Sequence, residues 1–468
     1  MPLAQHDVCL ASPEPPAAMS EASIGSAPFA PGRSGSTARS TSACLASSAA
    51  SSVAPAPAHP ASHPAPSGWL LVGRRRLGTP GLVILLVLAS LVMPLSLDMY
   101  TPAIPHMAAG FSTTEAMVNL TLAGYFLFFA IGLLLFGPLS DRHGRRPVLV
   151  AGALVYTVAS AACALVGSIE ALIVARVVQA LGASAVSAVA TAVVKDAVRP
   201  ERRGAVLSIV QAMFVVGPVF APVAGALILQ LASWHATFWA LAICGLICLV
   251  LSVLFDETLP AGRRSATTVH DVLAGFGGVV RDRGFMGLLG VASLYNLPFM
   301  AYIAVGSYVY MTFFGLDELA YSLYFAAAAV LTAAGPFISL AVARWLSTRT
   351  VMAGLVAIAL VSGVAILAVG EAAPWAFCAA FLVFALAEAS VRPFSTTVLL
   401  NRDGRDGGGS AGAASSVINF AHTAVGCAGM LVAHLPWASY VQGVGWLVVG
   451  SMLLAGIGLL ALVRARAI

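Results

Sequence analysis

The sequence predicts an all-α integral membrane protein with twelve transmembrane helices in two pseudo-symmetric six-helix bundles. Hydrophobic residues make up 59% of the 468 residues and charged residues 9%, whereas a soluble domain carries about 25% charge. After about residue 80 the chain breaks into apolar runs of about twenty residues, long enough as helix to cross a hydrocarbon core of about 30 Å. Basic residues collect in alternate connections, as expected for a multi-pass protein.

Twelve apolar spans follow one another, and one long polar connection divides them into two groups of six. Two six-span bundles joined by a linker are typical of transporters that work by alternating access. The predicted spans are 81–104, 116–138, 148–167, 170–194, 205–231, 236–255, 285–314, 319–342, 350–370, 374–399, 411–435 and 440–463. The predicted domains are a tail at 1–73, an amino-terminal bundle at 74–255, a linker at 256–284 and a carboxyl-terminal bundle at 285–468.

The first residues, up to about residue 70, are rich in Ala, Ser and Pro. Such a segment has too few large apolar side chains to form a core, so we predict a disordered cytoplasmic tail. It lacks the apolar region of a signal peptide. A regulatory role for it stays open.

Basic residues also predict which side of the membrane each connection faces. Of the 24 Lys and Arg residues, all but Arg33, Arg39, Arg176 and Arg392 lie in one alternate set of connections or flank the first and last spans. The positive-inside rule therefore places both termini and these connections in the cytoplasm. The net charge of +5 is a topology signal rather than a sign of nucleic-acid binding. A single lysine against many arginines, with abundant Ala, Gly and Pro, suggests a GC-rich bacterial genome.

The connection after span 2 combines spaced glycines, an acid and three arginines. It reads GPLSDRHGRRP from Gly137 to Pro147. Gly137 and Gly144 permit close backbone approach and positive φ, and Asp141 can cap a helix or pair with arginine. The arginines, which favour the cytoplasmic side, are Arg142, Arg145 and Arg146. This pattern resembles the signature between the second and third helices of the major facilitator superfamily, which implies a role in conformational gating.

Span 5 contains a second motif, GPVFAPVAG from Gly217 to Gly225. Small residues let this helix approach a neighbour closely, and Pro218 and Pro222 bend it. The stretch resembles the antiporter motif of the same superfamily, with Ala221 in place of the second glycine. In that family the motif accompanies proton-coupled export rather than uptake.

Segments of spans 1 and 4 resemble one particular subgroup of the superfamily. Span 1 ends LSLDMYTPAIP from Leu95 to Pro105, which looks like the corresponding segment of Bcr/CflA-type drug:proton antiporters, including chloramphenicol and florfenicol exporters. Span 4 contains RVVQALGA from Arg176, which is similar to that family's span-4 motif. The resemblance is strongest over spans 1 to 5. In the carboxyl-terminal half it is mainly one of hydropathy.

Four residues of the types Asp, Glu, Lys and Arg lie well inside the predicted spans: Asp98, Arg176, Glu388 and Arg392. Such residues cost about 2.5–3.5 kcal/mol at the bilayer centre and usually mark a transport path. Asp98 lies about 17 residues into span 1 and Arg176 about six residues into span 4, at similar depth in the outer half, so we expect them to pair. Burial and a guanidinium act on a carboxyl in opposite directions, which would let it gain and lose a proton. A permanent structural ion pair is the alternative.

The family resemblance assigns roles around this pair. It implies that Asp98 handles the proton and the substrate, that Arg176 modulates it, and that Gln179 hydrogen-bonds in the pocket. Some family members carry a second acid about two turns before the aspartate, where this chain has Ser90. We therefore predict little export of cations and a low proton count.

Other polar residues inside the spans have two interpretations each. Glu388 and Arg392, at i and i+4, form either a structurally neutralised charge pair or a second gating element. His422 is either a proton carrier or an interhelical histidine. Candidate substrate-binding residues, each of which could instead serve packing between helices, are Tyr125, Gln211, Asn296, Tyr302 and Asn419.

Together with the family resemblance, these features predict proton-coupled efflux of lipophilic drugs across the bacterial inner membrane by alternating access, with chloramphenicol or a related phenicol as candidate substrate. The expected partners are the drug, protons and the lipid bilayer, without nucleic acid, and the protein is expected to be a monomer. The proton is the only coupling ion, and no cofactor or metal is expected. The alternatives are an exporter of a sugar or other metabolite, a channel, or another membrane protein without drug transport. The chain lacks H-E-x-x-H and the phosphate-binding G-x-x-x-x-G-K-[ST] pattern, which argues against an enzyme and an ATP-driven pump.

Overall fold

The computed structural model describes residues 77–264, 277, 279–342, 344–403 and 411–465, and these residues form a helical membrane fold. The predicted tail at 1–73 and much of the predicted linker lie outside them. The α-helices are Gly78–Asp98, Ile104–Gly110, Glu115–His143, Arg145–Leu165, Ile169–Ala197, Pro200–Leu231, His235–Leu254, Arg283–Ser293, Asn296–Ser307, Glu318–Thr332, Gly335–Val342, Thr348–Val369, Pro374–Asp403, Ala411–Val432 and Tyr440–Arg464. A 3-10 turn at Thr101–Ala103 and a π-helical segment at Tyr308–Phe313 interrupt spans 1 and 7.

Helices are found at all twelve predicted spans. Eleven helical stretches among the described residues are long and apolar enough to cross a membrane. The remaining span, span 5, coincides with the helix Pro200–Leu231, whose apolar part is Val216–Leu231. The predicted fold class is therefore confirmed.

Polar caps begin several spans at the end away from the basic connections. Span 2 begins after Thr114, whose side chain accepts a hydrogen bond from the Met117 amide. Span 4 begins in the same way after Ser168, and span 12 after Ser439. These hydroxyls satisfy amides that a helix start leaves free, so short connections can end one span and begin the next.

The two halves of the chain, residues 78–254 and 283–464, repeat one packing scheme. In the amino-terminal half span 3 packs against spans 4 and 6, and span 1 against span 5. In the carboxyl-terminal half span 9 packs against spans 10 and 12, and span 7 against span 11. Between the halves, span 5 packs on span 8 and span 2 on span 11. Large apolar side chains such as Val158 and Val361 remain exposed, as expected for helix faces that contact lipid.

Candidate functional site

Asp98 lies at a break in the first span. It is the last residue of the helix Gly78–Asp98, and the 3-10 turn Thr101–Ala103 follows before the helix resumes. The Thr101 hydroxyl donates to the Asp98 carbonyl at 2.8 Å. The carboxyl side chain is 2% exposed, and its Oδ1 has no hydrogen-bond partner among the described residues.

Arg176 is held by hydrogen bonds on one side. It is fully buried, and its Nη1 donates to the Ser96 carbonyl at 2.9 Å and to Gln179 Oε1 at 2.7 Å. Gln179 in turn donates to the Ser160 hydroxyl at 2.7 Å. The Ser96 hydroxyl lies 2.7 Å from the Tyr156 hydroxyl. The guanidinium is thus fixed by a polar network that joins spans 1, 3 and 4.

Aromatic rings hold the same guanidinium on other sides. Its central carbon lies 4.3 Å from the ring centre of Tyr125, 4.5 Å from that of Tyr100 and 5.8 Å from that of Phe238. Such cation–π contacts stabilise a cation in a desolvated site. The Tyr100 hydroxyl is anchored 2.8 Å from the Thr121 hydroxyl. Sequence reasoning identified Tyr125 but missed Tyr100 and Phe238, although Tyr100 belongs to the span-1 segment singled out above.

The expected ion pair between Asp98 and Arg176 is not formed, so this prediction is wrong for the conformation observed. No carboxylate lies within 4 Å of the guanidinium among the described residues. The physical reason is that Nη1 is occupied by Ser96 and Gln179, while the ring faces hold the rest of the group. Arg176 Nε and Nη2 have no hydrogen-bond partner. Gln179 positions the arginine instead of presenting its amide oxygen to a pocket.

Span 8 brings the other half of the molecule to Asp98. The helix Glu318–Thr332 packs against the 3-10 turn Thr101–Ala103 that follows Asp98, and Tyr321 lies within electrostatic range of the Asp98 carboxyl. The next residue, Ser322, donates to the Pro222 carbonyl of span 5 at 3.0 Å. Asp98 therefore lies at the boundary between the two halves.

Glycines of span 5 fix its position against span 1. A Cβ atom at Gly217 would lie 2.4 Å from Pro94, and one at Gly225 would lie 1.8 Å from the Met99 carbonyl oxygen. Pro218 and Pro222 lie inside this helix. The close approach that the motif predicts is present, immediately next to Asp98. The gating role of these four residues stays a prediction.

The motif after span 2 lies mostly on a helix. Span 2 continues to His143, and only Gly144, at a φ of 104°, separates it from span 3. The close approach expected at Gly137 is wrong, because a Cβ there would meet nothing within 4 Å. Asp141 pairs with Arg145 at 2.5 Å, and Arg145 also reaches Asp196 of span 4 at 2.8 Å.

A carboxylate from the end of span 6 caps span 3. Glu257 accepts hydrogen bonds from the backbone amides of Arg145, at 2.9 Å, and of Arg146, at 3.2 Å. It also accepts from its neighbours Thr258 and Leu259. An anion at a helix amino terminus is stabilising. Sequence reasoning missed Glu257, since nothing local indicates which helix a carboxylate more than a hundred residues away will cap. Arg142 is exposed.

Three of the remaining pocket candidates have side chains that the structure describes. Asn296 donates to the His422 carbonyl at 2.6 Å, so it joins spans 7 and 11, although its Oδ1 has no partner. Tyr302 is buried with an unpartnered hydroxyl. Asn419 is exposed, and the side chain of Gln211 lies outside the described residues.

Glu388 and Arg392 are not joined by an ion pair either. Glu388 is buried and Arg392 is exposed, and no salt bridge within 4 Å links them in the described part of the chain. The i, i+4 spacing leaves Arg392 within electrostatic range of the Glu388 carboxyl, although its own side chain is exposed. Arg392 is also within electrostatic range of His422, which is 2% exposed with Nε2 unpartnered.

Hydrogen bonds join the two halves at the end opposite the basic connections. The pairs are His106 with Glu318 at 2.8 Å, Asn119 with His434 at 2.6 Å, and Glu115 with Tyr440. Burial lowers the pKa of the His434 imidazole. His434 Nδ1 lies 3.2 Å from the Met430 carbonyl, which leaves Nε2 to accept from Asn119 in the neutral form. These hydrogen bonds hold the two halves together at this end of the molecule.

Six aromatic side chains of spans 7, 8 and 10 form one group, which we call the aromatic cluster. Its members are Tyr302, Tyr310, Tyr321, Phe325, Phe377 and Phe381, all buried. The Tyr302 and Phe381 rings are stacked with centroids 3.9 Å apart. Sequence reasoning named only Tyr302, because scattered aromatic residues in apolar spans give no signal that they meet.

Comparison with known proteins identifies a family. Residues 86–430 match the family model described as Major Facilitator Superfamily. The chain is 31% identical over 269 residues to an uncharacterized MFS-type transporter, YdgK of Bacillus subtilis, covering 57% of this chain and 66% of that protein. It is 30% identical over 264 residues to the multidrug resistance protein MdtL of Klebsiella pneumoniae, covering 56% and 66%. The matches thus span just under two-thirds of these relatives.

Solved structures share the fold at low sequence identity. The peptide transporter POT in complex with sulfate has a TM-score of 0.67 at 16% identity, covering 84% of this chain and 97% of that chain. A D-xylose-proton symporter has a TM-score of 0.62 at 16% identity, covering 81% and 96%. At this level of identity the likeness shows the fold alone.

Proposed function

Because the chain belongs to the Major Facilitator Superfamily, we propose that it exports lipophilic drugs from the bacterial cytoplasm in exchange for protons. One observation carries the proposal: Asp98 is a buried acid without an ionic partner, at the boundary between the two halves. The relatives named multidrug resistance proteins support a drug as the cargo.

The burial of Asp98 links its protonation to the conformation of the protein. An ionised carboxylate in a dry site without a partner is costly, so the closed conformation favours the neutral acid. When the halves separate, water reaches the boundary and stabilises the carboxylate. The same movement that changes access therefore changes the proton affinity of this group, and that linkage is what an antiporter requires.

Arg176 gives the site a fixed positive charge. Its Nη1 is held by Ser96 and Gln179, whereas Nε and Nη2 have no partner in the observed conformation. These two N–H groups could bind either the deprotonated Asp98 or an acceptor group of the cargo. Competition between the two for one guanidinium would make proton and drug bind in turn.

The end at which hydrogen bonds join the two halves corresponds to the periplasmic side in this proposal. The positive-inside rule assigns the basic connections to the cytoplasm, so the hydrogen bonds His106–Glu318 and Asn119–His434 would close the periplasmic exit. Inward proton flow supplies about 2.3 kcal/mol per elementary charge per 100 mV of membrane potential. That is enough to drive outward accumulation of a neutral drug.

The finer assignment follows from spans 1 and 4. The segment from Leu95 to Pro105 resembles Bcr/CflA-type antiporters, which supports chloramphenicol or a related phenicol as substrate. Ser90, which replaces the second acid of some family members, is buried and donates to the Leu86 carbonyl. This supports a neutral cargo and a low proton count. The protein would act as a monomer in the inner membrane, with both termini cytoplasmic and no cofactor besides the proton.

Substitution of Asp98 tests the proposal. In everted membrane vesicles, addition of chloramphenicol to wild-type protein should release protons, recorded as recovery of fluorescence from a pH-gradient dye. Asp98→Asn should abolish this recovery, because the amide cannot titrate, and Asp98→Glu should retain part of it. Thermal unfolding in detergent serves as the control for folding. Equal proton release by wild type and Asp98→Asn would show that this carboxyl does not couple.

A further inference from the structure

We propose that Asp98, in its protonated form, donates a hydrogen bond to the backbone carbonyl of Pro218 in span 5, and that Pro222 makes this carbonyl available. Pro222 is then a positioning residue, because it acts on the proton site through the backbone and contacts neither the proton nor the cargo. The inference deepens the proposed export function and rests on it, since it requires that Asp98 binds a proton in the observed conformation.

Span 5 contains a backbone carbonyl that a regular helix would satisfy and this one does not. In an α-helix the carbonyl of residue 218 accepts a hydrogen bond from the amide of residue 222. Both positions are proline within the helix Pro200–Leu231, and proline has no N–H, so Pro218 lacks that donor. The ring of Pro222 also pushes the carbonyl away from the helix. A carbonyl at membrane depth needs a partner, which a neighbouring span can supply.

The contacts between spans 1 and 5 place Asp98 opposite the two prolines. A Cβ atom at Gly217 would lie 2.4 Å from Pro94, and one at Gly225 would lie 1.8 Å from the Met99 carbonyl oxygen. The two prolines of span 5 lie between these glycines in the sequence. Asp98 follows Pro94 by four residues, so both side chains lie on the same face of span 1. That face is the one in contact with span 5.

Span 8 brings independent evidence for the same arrangement. Tyr321 lies within electrostatic range of Asp98, and its neighbour Ser322 donates to the Pro222 carbonyl at 3.0 Å. Two successive residues of one helix therefore reach the acid and the proline, which places the acid and the proline close together. Oδ1 of Asp98 has no hydrogen-bond partner among the described residues, so this carboxyl has a free oxygen from which a bound proton can be donated.

The carboxyl-terminal half contains a side-chain bond to a helix carbonyl at the equivalent position. Asn296 of span 7 donates through Nδ2 to the His422 carbonyl of span 11 at 2.6 Å. Asn296 directly precedes Leu297, whose carbonyl oxygen would lie 2.0 Å from a Cβ at Gly429. His422 lies seven residues before that glycine.

The same count in the amino-terminal half leads to Pro218. Asp98 directly precedes Met99, whose carbonyl oxygen faces Gly225 as described above. Seven residues before Gly225 is Pro218. The repeated packing of the two halves therefore sets Asp98 opposite the Pro218 carbonyl, as Asn296 is set opposite its own acceptor.

The two bonds differ in what they require. An asparagine amide is a donor at any pH, whereas a carboxyl donates only when it carries a proton. Asn296 therefore joins spans 7 and 11 permanently, while Asp98 joins spans 1 and 5 only in the protonated state. Loss of the proton removes the donor and leaves two oxygens that repel the Pro218 carbonyl. The carboxylate is then released from span 5, and the guanidinium of Arg176 is available to it.

Infrared difference spectroscopy of the purified full-length protein in lipid nanodiscs at acidic pH tests the assignment. Subtraction of the Asp98→Asn spectrum identifies the C=O stretch of the protonated carboxyl. Donation of a hydrogen bond lowers the frequency of this stretch, so Pro222→Gly, which restores an amide that competes for the carbonyl, should shift the band to higher wavenumber. Pro222→Ala restores the same amide and should give the same shift if the glycine variant does not fold.

Pro218→Ala is the matched control. It removes a proline from the same helix but keeps the backbone carbonyl at residue 218 and leaves residue 222 without a donor, so the band should not move. Thermal unfolding in detergent establishes that each variant is folded. An equal shift in Pro218→Ala and Pro222→Gly would overturn the inference, because the bend of span 5 rather than the available carbonyl would then determine the band.

Two further results would overturn the inference. One is an unmoved band in folded Pro222→Gly and Pro222→Ala, which would reject the hydrogen bond but leave the proposed coupling by Asp98 intact. The other is the absence of any carboxyl band that Asp98→Asn removes, which would show that Asp98 carries no proton and would reject the coupling as well. The wild-type band alone is also decisive, because a frequency typical of a carboxyl without a hydrogen bond would exclude the Pro218 acceptor.

Discussion

In the amino-terminal half, spans 1 and 4 bury charge: Asp98 and Arg176 are at most 2% exposed. In the carboxyl-terminal half, spans 7, 8 and 10 bury rings around Tyr302. The helices behind these side chains are nevertheless packed alike. Gly225 of span 5 approaches the Met99 carbonyl of span 1, and Gly429 of span 11 approaches the Leu297 carbonyl of span 7. The repeated scaffold sets the backbone positions, while the side chains give each half its own chemistry.

The buried polar groups of the two halves have different surroundings. Around Arg176 the hydroxyls of Ser96 and Ser160 take part in hydrogen bonds, whereas Nε and Nη2 of the guanidinium and Oδ1 of Asp98 have no partner among the described residues. In the aromatic cluster the unpartnered groups are the neutral hydroxyls of Tyr302 and Tyr310. The comparison suggests that the proton is handled in the amino-terminal half.

The largest effect is expected from two glycines that make the same kind of helix contact in the two halves, Gly225 and Gly429. Gly225→Ala and Gly429→Ala would each place a Cβ within about 2 Å of a backbone oxygen, which forces the paired helices apart at a cost of about 1–3 kcal/mol or more. Both variants should lower the thermal unfolding temperature in detergent. Gly137→Ala and Gly290→Ala are matched controls, because a Cβ at either meets nothing within 4 Å. If only one of Gly225→Ala and Gly429→Ala lowered the unfolding temperature, the helix packing at these two glycines would not be equivalent.

A smaller effect, confined to transport, is expected from Arg176→Lys. Lysine keeps the charge but loses the planar group that lies against Tyr125 and donates to Ser96 and Gln179, so drug export should fall about tenfold. Arg392→Lys should leave export unchanged, because Arg392 is exposed and makes no ion pair with the described residues. Drug accumulation in everted vesicles measures both. If Arg176→Lys exported the drug as fast as the wild-type protein does, the positive charge alone would be sufficient for transport.

The smallest effect is expected from Glu388→Gln. This buried acid of the carboxyl-terminal half has no cation within 4 Å among the described residues, so removing its charge should be neutral or stabilising. Drug-dependent proton release should persist in this variant. If Glu388→Gln abolished proton release, coupling would extend into the carboxyl-terminal half, and the division between the halves would fail.

Particular residues show where sequence reasoning succeeded. Hydropathy located every span, because the bilayer constrains the length of an apolar helix locally. The glycines of span 5 predicted a close helix contact, and that contact is present at Pro94 and Met99. Asp98 and Arg176 were found because charge is rare in apolar spans.

Sequence reasoning was wrong where the answer depends on the direction in which a side chain points rather than on its depth in the membrane. Matching depths predicted an ion pair between Asp98 and Arg176, but the guanidinium is turned towards Ser96 and Gln179. The i, i+4 spacing of Glu388 and Arg392 likewise allowed a salt bridge, but within the described residues the two groups are only within electrostatic range of each other. The cap that Glu257 provides for span 3 could not be foreseen either, since it depends on where two distant helix ends meet.

The sequence by itself determined that this protein lies in a lipid bilayer, how many spans it has and where they lie along the chain. It also determined how few charged residues those spans contain. Each of these follows from composition over a window of about twenty residues, which is the scale that a bilayer of about 30 Å imposes. Only the tertiary structure decided which side chains meet, such as Tyr321 with Asp98 and the rings of three spans with one another. Those contacts depend on helix rotation and on the approach of the two halves, and no local pattern along the chain specifies either.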